Sequence, residues 1–162
     1  MQIKDTKAIQ TSVVHPKDLN SRGTMFGGEI FSLIDLTCSI SVTRFCHQKT
    51  FTVAINNLEY YQPLLPSQIV EVESYVCGCG TTSIETIAFV YGENENGERF
   101  LATTCLMTYA LPKNIICEFP HLEASDPFEK YLLKTYNRRK DLNKSYHQYL
   151  KEVNDYKESN YE

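Results

Sequence analysis

Hydrophobic and polar positions change their period twice along this chain. The first apolar run, Ile9 to Val14, reads as a strand. It ends in a turn-rich stretch, His15-Pro16-Lys17-Asp18-Leu19-Asn20-Ser21-Arg22-Gly23. From Gly27 the pattern becomes helical. Ile30, Phe31, Ile34, Cys38 and Val42, joined by Leu33, Ile40 and Phe45, put apolar side chains on most sides. A helix that is apolar nearly all round is a buried one, so the pattern predicts a buried helix over 27–47. Period two then takes over. Residues 51–61, 69–76, 83–91 and 100–111 read as strands. In the second of these Glu71 and Glu73 alternate outward between apolar neighbours. In the third Ile84, Thr86, Ala88 and Val90 share one face. Asn96-Gly97, inside the polar stretch 93–98, is a strong hairpin signal. One strand, a buried helix and four strands on short turns are met by an α+β arrangement. In it an antiparallel sheet wraps around one central helix.

Beyond Pro112 the pattern breaks. Residues 112–124 look irregular, and Ser125-Asp126-Pro127 then starts a helix. Asp126 is the expected N-cap, Pro127 the first helical residue and Glu129 the capping-box acid. Leu142, Tyr146, Tyr149, Leu150, Val153 and Tyr156 follow helical spacing and form one stripe. The expected division is therefore a body over 1–111 and a largely helical extension over 112–162. The stripe is expected to pack on the body or on a neighbouring subunit.

Composition narrows the class without choosing a function. With 162 residues, 42% hydrophobic and 22% charged, the chain is one domain with an extension. A net charge of -4 argues against a nucleic-acid binder. Residues 126–162 hold six of the eleven tyrosines and balance eight Lys/Arg against seven Asp/Glu, so the negative charge sits in the rest of the chain. No run approaches the ~18 apolar residues of a membrane span, and the first residues do not read as a signal peptide. A cytoplasmic protein without a membrane partner is expected. Six cysteines lack metal or redox spacing, and reduced apolar thiols are the expectation. Cys77 and Cys79, two apart on a strand, should share a face. The four histidines form no metal-ligand pattern, and His47 near a helix C-terminus suits the helix dipole.

Four features could carry chemistry. Gly27 and Gly28 open the central helix, where free N–H groups could stabilise an oxyanion; close backbone packing is the other reading. Asp35 lies seven residues on, roughly 10 Å along the helix, among Leu33, Ile34 and Leu36. An acid in that setting is either a paired structural group or a general base or nucleophile. Asn20 lies in the loop before the helix, where Asn also serves turns. Gly80-Thr81-Thr82-Ser83 is either a plain turn or a set of donors for a phosphate-bearing ligand, and Asn57 is a polar residue within a strand-like run.

Asp18-Leu19-Asn20-Ser21-Arg22-Gly23-Thr24-Met25-Phe26-Gly27-Gly28, with Leu33-Ile34-Asp35, resembles the signature of the hotdog-fold acyl-CoA thioesterases. These are the bacterial broad-range acyl-CoA hydrolases, related to the animal cytosolic brain-type enzymes. Asn56-Asn57-Leu58-Glu59-Tyr60-Tyr61-Gln62-Pro63 and Gly80-Thr81-Thr82-Ser83-Ile84 resemble later pieces of the same family, so the likeness runs over about 8–111. It implies a hotdog fold that hydrolyses acyl-CoA without metal or cofactor. It implies Asp35 as catalytic carboxylate, acting as base or nucleophile, with Asn20 as its partner across a dimer interface. It implies that Gly27 and Gly28 polarise the thioester carbonyl. It also implies that Asn57, Gly80, Thr81, Thr82 and Ser83 border the coenzyme A path, in an assembly of dimers or trimers of dimers. Leu19 departs from the family's Thr, and Ser67 from its Gly. Leu36-Thr37-Cys38 departs from smaller residues, and the stretch after Pro112 has no counterpart in the pattern. A dehydratase of the same fold would need a catalytic His, and no His here sits in such a motif. A non-catalytic acyl-CoA-binding regulator is the alternative from another class.

Overall fold

The computed structural model describes residues 1–160. Its order is β1 (Ala8–Val13), α1 (Gly27–Cys46), β2 (Phe51–Tyr60), β3 (Ile69–Cys79), β4 (Ser83–Glu93), β5 (Arg99–Ala110) and α2 (Pro127–Asn160). The strands form one sheet in the order β1-β3-β4-β5-β2, and each neighbouring pair is antiparallel. The strand phases match the period-two reading. Val70, Val72 and Val76 of β3, Ile84, Ala88 and Val90 of β4, and Cys105, Met107 and Tyr109 of β5 all point into the main core. The β4–β5 hairpin turns on Gly97 at φ 78°, with the Asn94 side chain accepting the N–H groups of Asn96 and Glu98.

α1 crosses the inner face of this sheet against β1, β3, β4 and β5. Ile30, Ile34, Cys38, Val42 and Phe45 form its buried stripe. Burying an Ile, Val or Phe side chain stabilises by about 1.5–3 kcal/mol each, so this stripe anchors the helix. Its buried polar groups are satisfied. Ser41 and Ser74 share a hydrogen bond of 2.6 Å, and Ser74 donates to the Thr37 carbonyl at 2.9 Å. The helix is not enclosed on every side, however. Leu36 and Ile40 are exposed, because one five-stranded sheet covers only one face of a helix.

Two further expectations need correction. Cys77 and Cys79 do not share a face. A register shift between Val76 and Gly78 inserts a bulge, which reverses the alternation. Cys77 therefore joins Ile87 and Leu132 on the outer face, while Cys79 packs toward the main core. The capping box of α2 also differs. Asp126 does accept the Glu129 N–H at 2.8 Å, but the Glu129 carboxylate reaches Ser125 instead, taking its N–H and its hydroxyl. Ser67, where the resembling family carries Gly, sits at φ 66°; the left-handed backbone there explains the glycine preference.

Residues after β5 return across the body. The Ile3 N–H donates to the Glu123 carbonyl at 2.9 Å, Leu122 enters the core, and the Phe119 ring lies 5.7 Å from that of Phe45. The first part of α2 then covers the outer face of β3 and β4. Leu132 fills the cluster with Cys77 and Ile87, and Phe128 meets Tyr75 and Phe89. Tyr136 occupies the space a side chain at Gly78 would need.

Candidate active site

Asp35 stands in the middle of α1, half-buried, where the inner sheet face ends. One carboxylate oxygen, Oδ1, accepts from the Thr52 hydroxyl at 2.8 Å and from the Tyr109 hydroxyl at 2.9 Å. The Tyr109 hydroxyl also lies 3.1 Å from the Asp35 carbonyl. The other oxygen, Oδ2, has no hydrogen-bond partner among the described residues. Among the described residues no cation pairs with this acid. Burial pushes the Tyr109 phenol far above its ordinary range, and the neighbouring Asp35 carboxylate adds to the shift. Tyr109 is therefore held as a protonated donor. Two neutral donors fix the Asp35 rotamer and leave one oxygen free to take a proton or to attack.

Thr52 and Tyr109 border an open cleft of about 680 Å³, walled by Thr43, His47, Phe51 and Pro112 among others. His47 ends α1 at φ 51°, its N–H returning to the Thr43 carbonyl at 2.9 Å. Neither Thr52 nor Tyr109 stood out in the sequence. Tyr109 could have been found from the alternation of β5, since it continues the inward phase of Cys105 and Met107. Thr52 had no such signal.

Gly27 and Gly28 are the first two residues of α1. Glu29 and Ile30 donate back to the Phe26 carbonyl, while the N–H groups of the two glycines have no partner among the described residues. A Cβ at Gly28 would lie 2.5 Å from the Phe26 ring. A Cβ at Gly27 would lie 3.2 Å from the Tyr60 hydroxyl, which donates to the Gly27 carbonyl at 2.9 Å. Both readings of the glycines therefore hold at once: close packing and free donors at a helix N-terminus.

Asn20 is not brought to Asp35 within one chain. Its Oδ1 accepts from the N–H groups of Arg22 and Thr24, and its Nδ2 donates to the Thr24 hydroxyl at 2.9 Å. Within the chain it shapes its own turn.

The remaining candidates lie on the other side of the sheet, toward α2. Asn57 is exposed on β2, donating to Glu59 at 3.2 Å. It lines a groove of about 650 Å³ with Leu58, Leu106, Arg139, Asn143 and Tyr146. Gly80–Ser83 form the β3–β4 turn, closed by the Gly80 N–H on the Ser83 carbonyl at 2.8 Å. Thr81 and Thr82 are exposed. Ser83 lines a smaller recess with Thr108, Tyr136, Lys140 and Asn143. The fold thus gathers Asn57 and the 80–83 turn around α2, a neighbour that the resemblance did not include. Among the described residues no cluster of three His, Cys, Asp or Glu could hold a metal, and no helix is long and apolar enough to cross a membrane.

A five-stranded antiparallel sheet packed on one long central helix, here with a half-buried carboxylate on that helix, is the hotdog architecture. The profile of the thioesterase superfamily matches residues 22–97. An uncharacterized acyl-CoA thioester hydrolase of Bacillus subtilis (strain 168), YkhA, is 39% identical over 113 residues, which are 68% of this chain and 66% of that protein. This chain belongs to the thioesterase superfamily. The matched stretch spans about two thirds of the curated relatives' own length. Among solved structures, an acyl-CoA hydrolase from Bacillus cereus is 29% identical with a TM-score of 0.88, covering 95% of this chain and 96% of that one. An apo-hexameric acyl-CoA thioesterase is 27% identical with a TM-score of 0.86, covering 91% of this chain and 96% of that one. Coverage this wide takes in most of residues 112–160, so the extension does have a counterpart in these structures.

Proposed function

We propose that this chain hydrolyses acyl-CoA to a carboxylic acid and coenzyme A. The observation that carries the reading is the Asp35 carboxylate, oriented by Thr52 and Tyr109, which themselves line an open cleft, with one carboxylate oxygen left without a partner among the described residues. The thioester carbonyl is placed at the N–H groups of Gly27 and Gly28, which receive charge as its oxygen becomes an oxyanion. Asp35 then acts in one of two ways. As a base it takes a proton from water while the water oxygen bonds to the carbonyl carbon. As a nucleophile it forms an acyl anhydride that water opens. In both, the C–S bond breaks and the thiolate leaves, to be protonated as free coenzyme A. No step requires a metal or a cofactor.

The active unit in this reading is at least a dimer, arranged as a trimer of dimers. Three features support self-association. β2 is an edge strand of ten residues paired on one side only, its Phe51, Val53 and Ile55 are exposed, and Leu36 and Ile40 of α1 are uncovered. Within one chain Asn20 bonds only its own turn, so in this reading it meets Asp35 from a second subunit. The hexameric structural neighbour supports the same assembly. The pantetheine and nucleotide of the substrate run past Asn57 and the Gly80–Ser83 turn, where Lys140 and Asn143 of α2 add polar groups. A cytoplasmic setting fits six unpaired cysteines.

The test is a panel of acyl-CoAs, from short to long chains, with a thiol reagent. Free thiol should appear in proportion to enzyme, and Asp35→Asn should nearly abolish it while leaving the fold intact. Binding without thiol release would instead identify a non-catalytic acyl-CoA-binding protein. Full activity in Asp35→Asn would remove Asp35 from the mechanism.

A further inference from the structure

We propose that Tyr60 is a positioning residue for the thioester oxyanion: by donating to the Gly27 carbonyl it fixes the peptide plane whose other end is the Gly28 N–H. This rests on the hydrolase reading above, in which that N–H receives the carbonyl oxygen, and adds the side chain that holds it in place. The Gly27 carbonyl and the Gly28 N–H belong to one planar unit and point in opposite directions. A tether on the carbonyl oxygen therefore aims the N–H. The tether is the Tyr60 hydroxyl, 2.9 Å from that oxygen.

This peptide needs a tether. It lies between two glycines at the first turn of α1, and glycine leaves the backbone on either side freer to rotate than any other residue does. The Gly28 N–H has no partner among the described residues to hold it. The bond from Tyr60 is not required to satisfy the backbone, however. Carbonyls in the first turn of a helix already take the N–H four residues on, and it is the N–H groups there that go without. A second donor on such a carbonyl polarises the peptide and strengthens its N–H as a donor in turn. The space for the phenol is also kept clear. A Cβ at Gly27 would lie 3.2 Å from the Tyr60 hydroxyl oxygen and 3.4 Å from the ring carbon that bears it. Gly27 lets the phenol approach.

The phenol stands on a firm base. Tyr60 ends β2 opposite Thr103 of β5, and the N–H groups of Tyr61 and Gln62 both donate to the Ala102 carbonyl, at 2.8 and 3.3 Å. A site group is held most closely when it stands on a regular element whose own backbone is bonded. Near its other end β2 carries Thr52, whose hydroxyl holds Asp35 at 2.8 Å. One strand therefore sends a hydroxyl to each half of the site. Both bonds are made within one chain and exist however the subunits combine. Partial burial pushes the Tyr60 phenol above its ordinary range, and Cys105 adds to the shift, so the hydroxyl keeps the proton it donates.

Steady-state turnover of acyl-CoA by the full-length protein tests this, beside an amide spectrum of the protein labelled with 15N-glycine. Tyr60→Phe keeps the ring of a side chain that is 49% exposed, so its urea midpoint should match the wild type. Its kcat and kcat/KM should fall together by about three- to ten-fold, the size of one neutral hydrogen bond, with KM unchanged. The Gly28 amide signal should move, because a donor on the carbonyl end of a peptide alters its N–H. Tyr60→Leu, which also lacks the hydroxyl, should show the same split between kcat and KM and serves if Tyr60→Phe fails to fold. An unchanged kcat would overturn the proposal, as would a Gly28 amide that stays in place. A raised KM at constant kcat would overturn it too, since Tyr60 would then touch the bound substrate rather than aim the N–H. A wild type that releases no thiol would overturn the hydrolase reading along with it. An active wild type with an indifferent Tyr60→Phe would remove the tether alone and leave the hydrolase reading standing.

Discussion

Two acids occupy opposite faces of the same pair of strands, and they are kept in different ways. Asp35 faces the inner side, where Tyr109 of β5 reaches it. Glu85 faces the outer side, beside Thr108, the residue before Tyr109 in the same strand. Glu85 is only 4% exposed and is bonded by the Arg139 guanidinium at 2.7 Å, with Asn143 and the Cys77 thiol as further neighbours. Asp35 is half-buried and, among the described residues, has no cation beside it, only two hydroxyls on a single oxygen. A buried carboxylate with a full counter-charge is a structural group, because losing its partner is costly and its lone pairs are spent. A carboxylate held by neutral donors, with one oxygen free, is oriented without being neutralised. That difference supports a structural role for the outer acid and the proposed catalytic role for the inner one.

The sharpest way to break the comparison is to remove each charge in turn and read both turnover and unfolding. Asp35→Asn should lower kcat by about 10²–10⁴-fold, the range for a lost general base. Its denaturation midpoint should stay near that of the wild type, since the amide still accepts from Thr52 and Tyr109. The mirror experiment is Arg139→Ala, which leaves Glu85 buried and unpaired. It should destabilise by about 3–5 kcal/mol in urea titration. Should Asp35→Asn unfold the protein, or Arg139→Ala cost nothing, the two roles would have to be exchanged.

Asp35 could be singled out in the sequence because an acid inside an apolar helical run is conspicuous. Its supporting hydroxyls could not. Thr52 lies 17 residues away and Tyr109 lies 74 away, and the contacts exist only because β2 and β5 are neighbours in the folded sheet. The Glu85–Arg139 pair spans 54 residues and was hidden for the same reason. Strand and helix positions were readable because the period of the apolar residues is a local property. The opposed orientations of Cys77 and Cys79 were not, because a bulge depends on the partner strand. Ile40 of α1, which is uncovered, looked like core for a related reason: the pattern shows that a face is apolar but not which surface covers it.

A smaller effect sharpens the account of the inner acid. Tyr109→Phe removes one of the two donors on Oδ1 and keeps the ring in the core. A hydrogen bond to a charged group contributes about 1.5 kcal/mol at the low end, so kcat should fall roughly tenfold with KM little changed. Thr52→Val should act in the same direction. The Tyr109→Phe/Thr52→Val variant should lose less than the product of the two single effects if the hydroxyls share one job, and a double-mutant cycle on kcat measures the difference. Strict additivity would mean that the two donors act independently.

A last effect appears only in alkali, away from the ordinary working range, and concerns the thiols beneath Asp35. Burial pushes Cys38 and Cys105 up to about 12 from an ordinary 9.0. Below pH 9 the folded and unfolded chains both hold these protons, and stability is indifferent to them. Above it the unfolded chain releases protons that the native chain keeps, so stability falls as pH climbs from about 9 toward about 12. The slope is about 1.4 kcal/mol per pH unit for each thiol. Cys38→Ala should lose one share of that slope and Cys38→Ala/Cys105→Ala both, as read by urea midpoints between pH 8 and pH 11. Cys77, buried against Glu85 on the outer face, is pushed up as well and should leave its own share behind in that double variant. If the double variant kept the full wild-type slope, the thiols on the inner face would not be the groups that burial holds protonated.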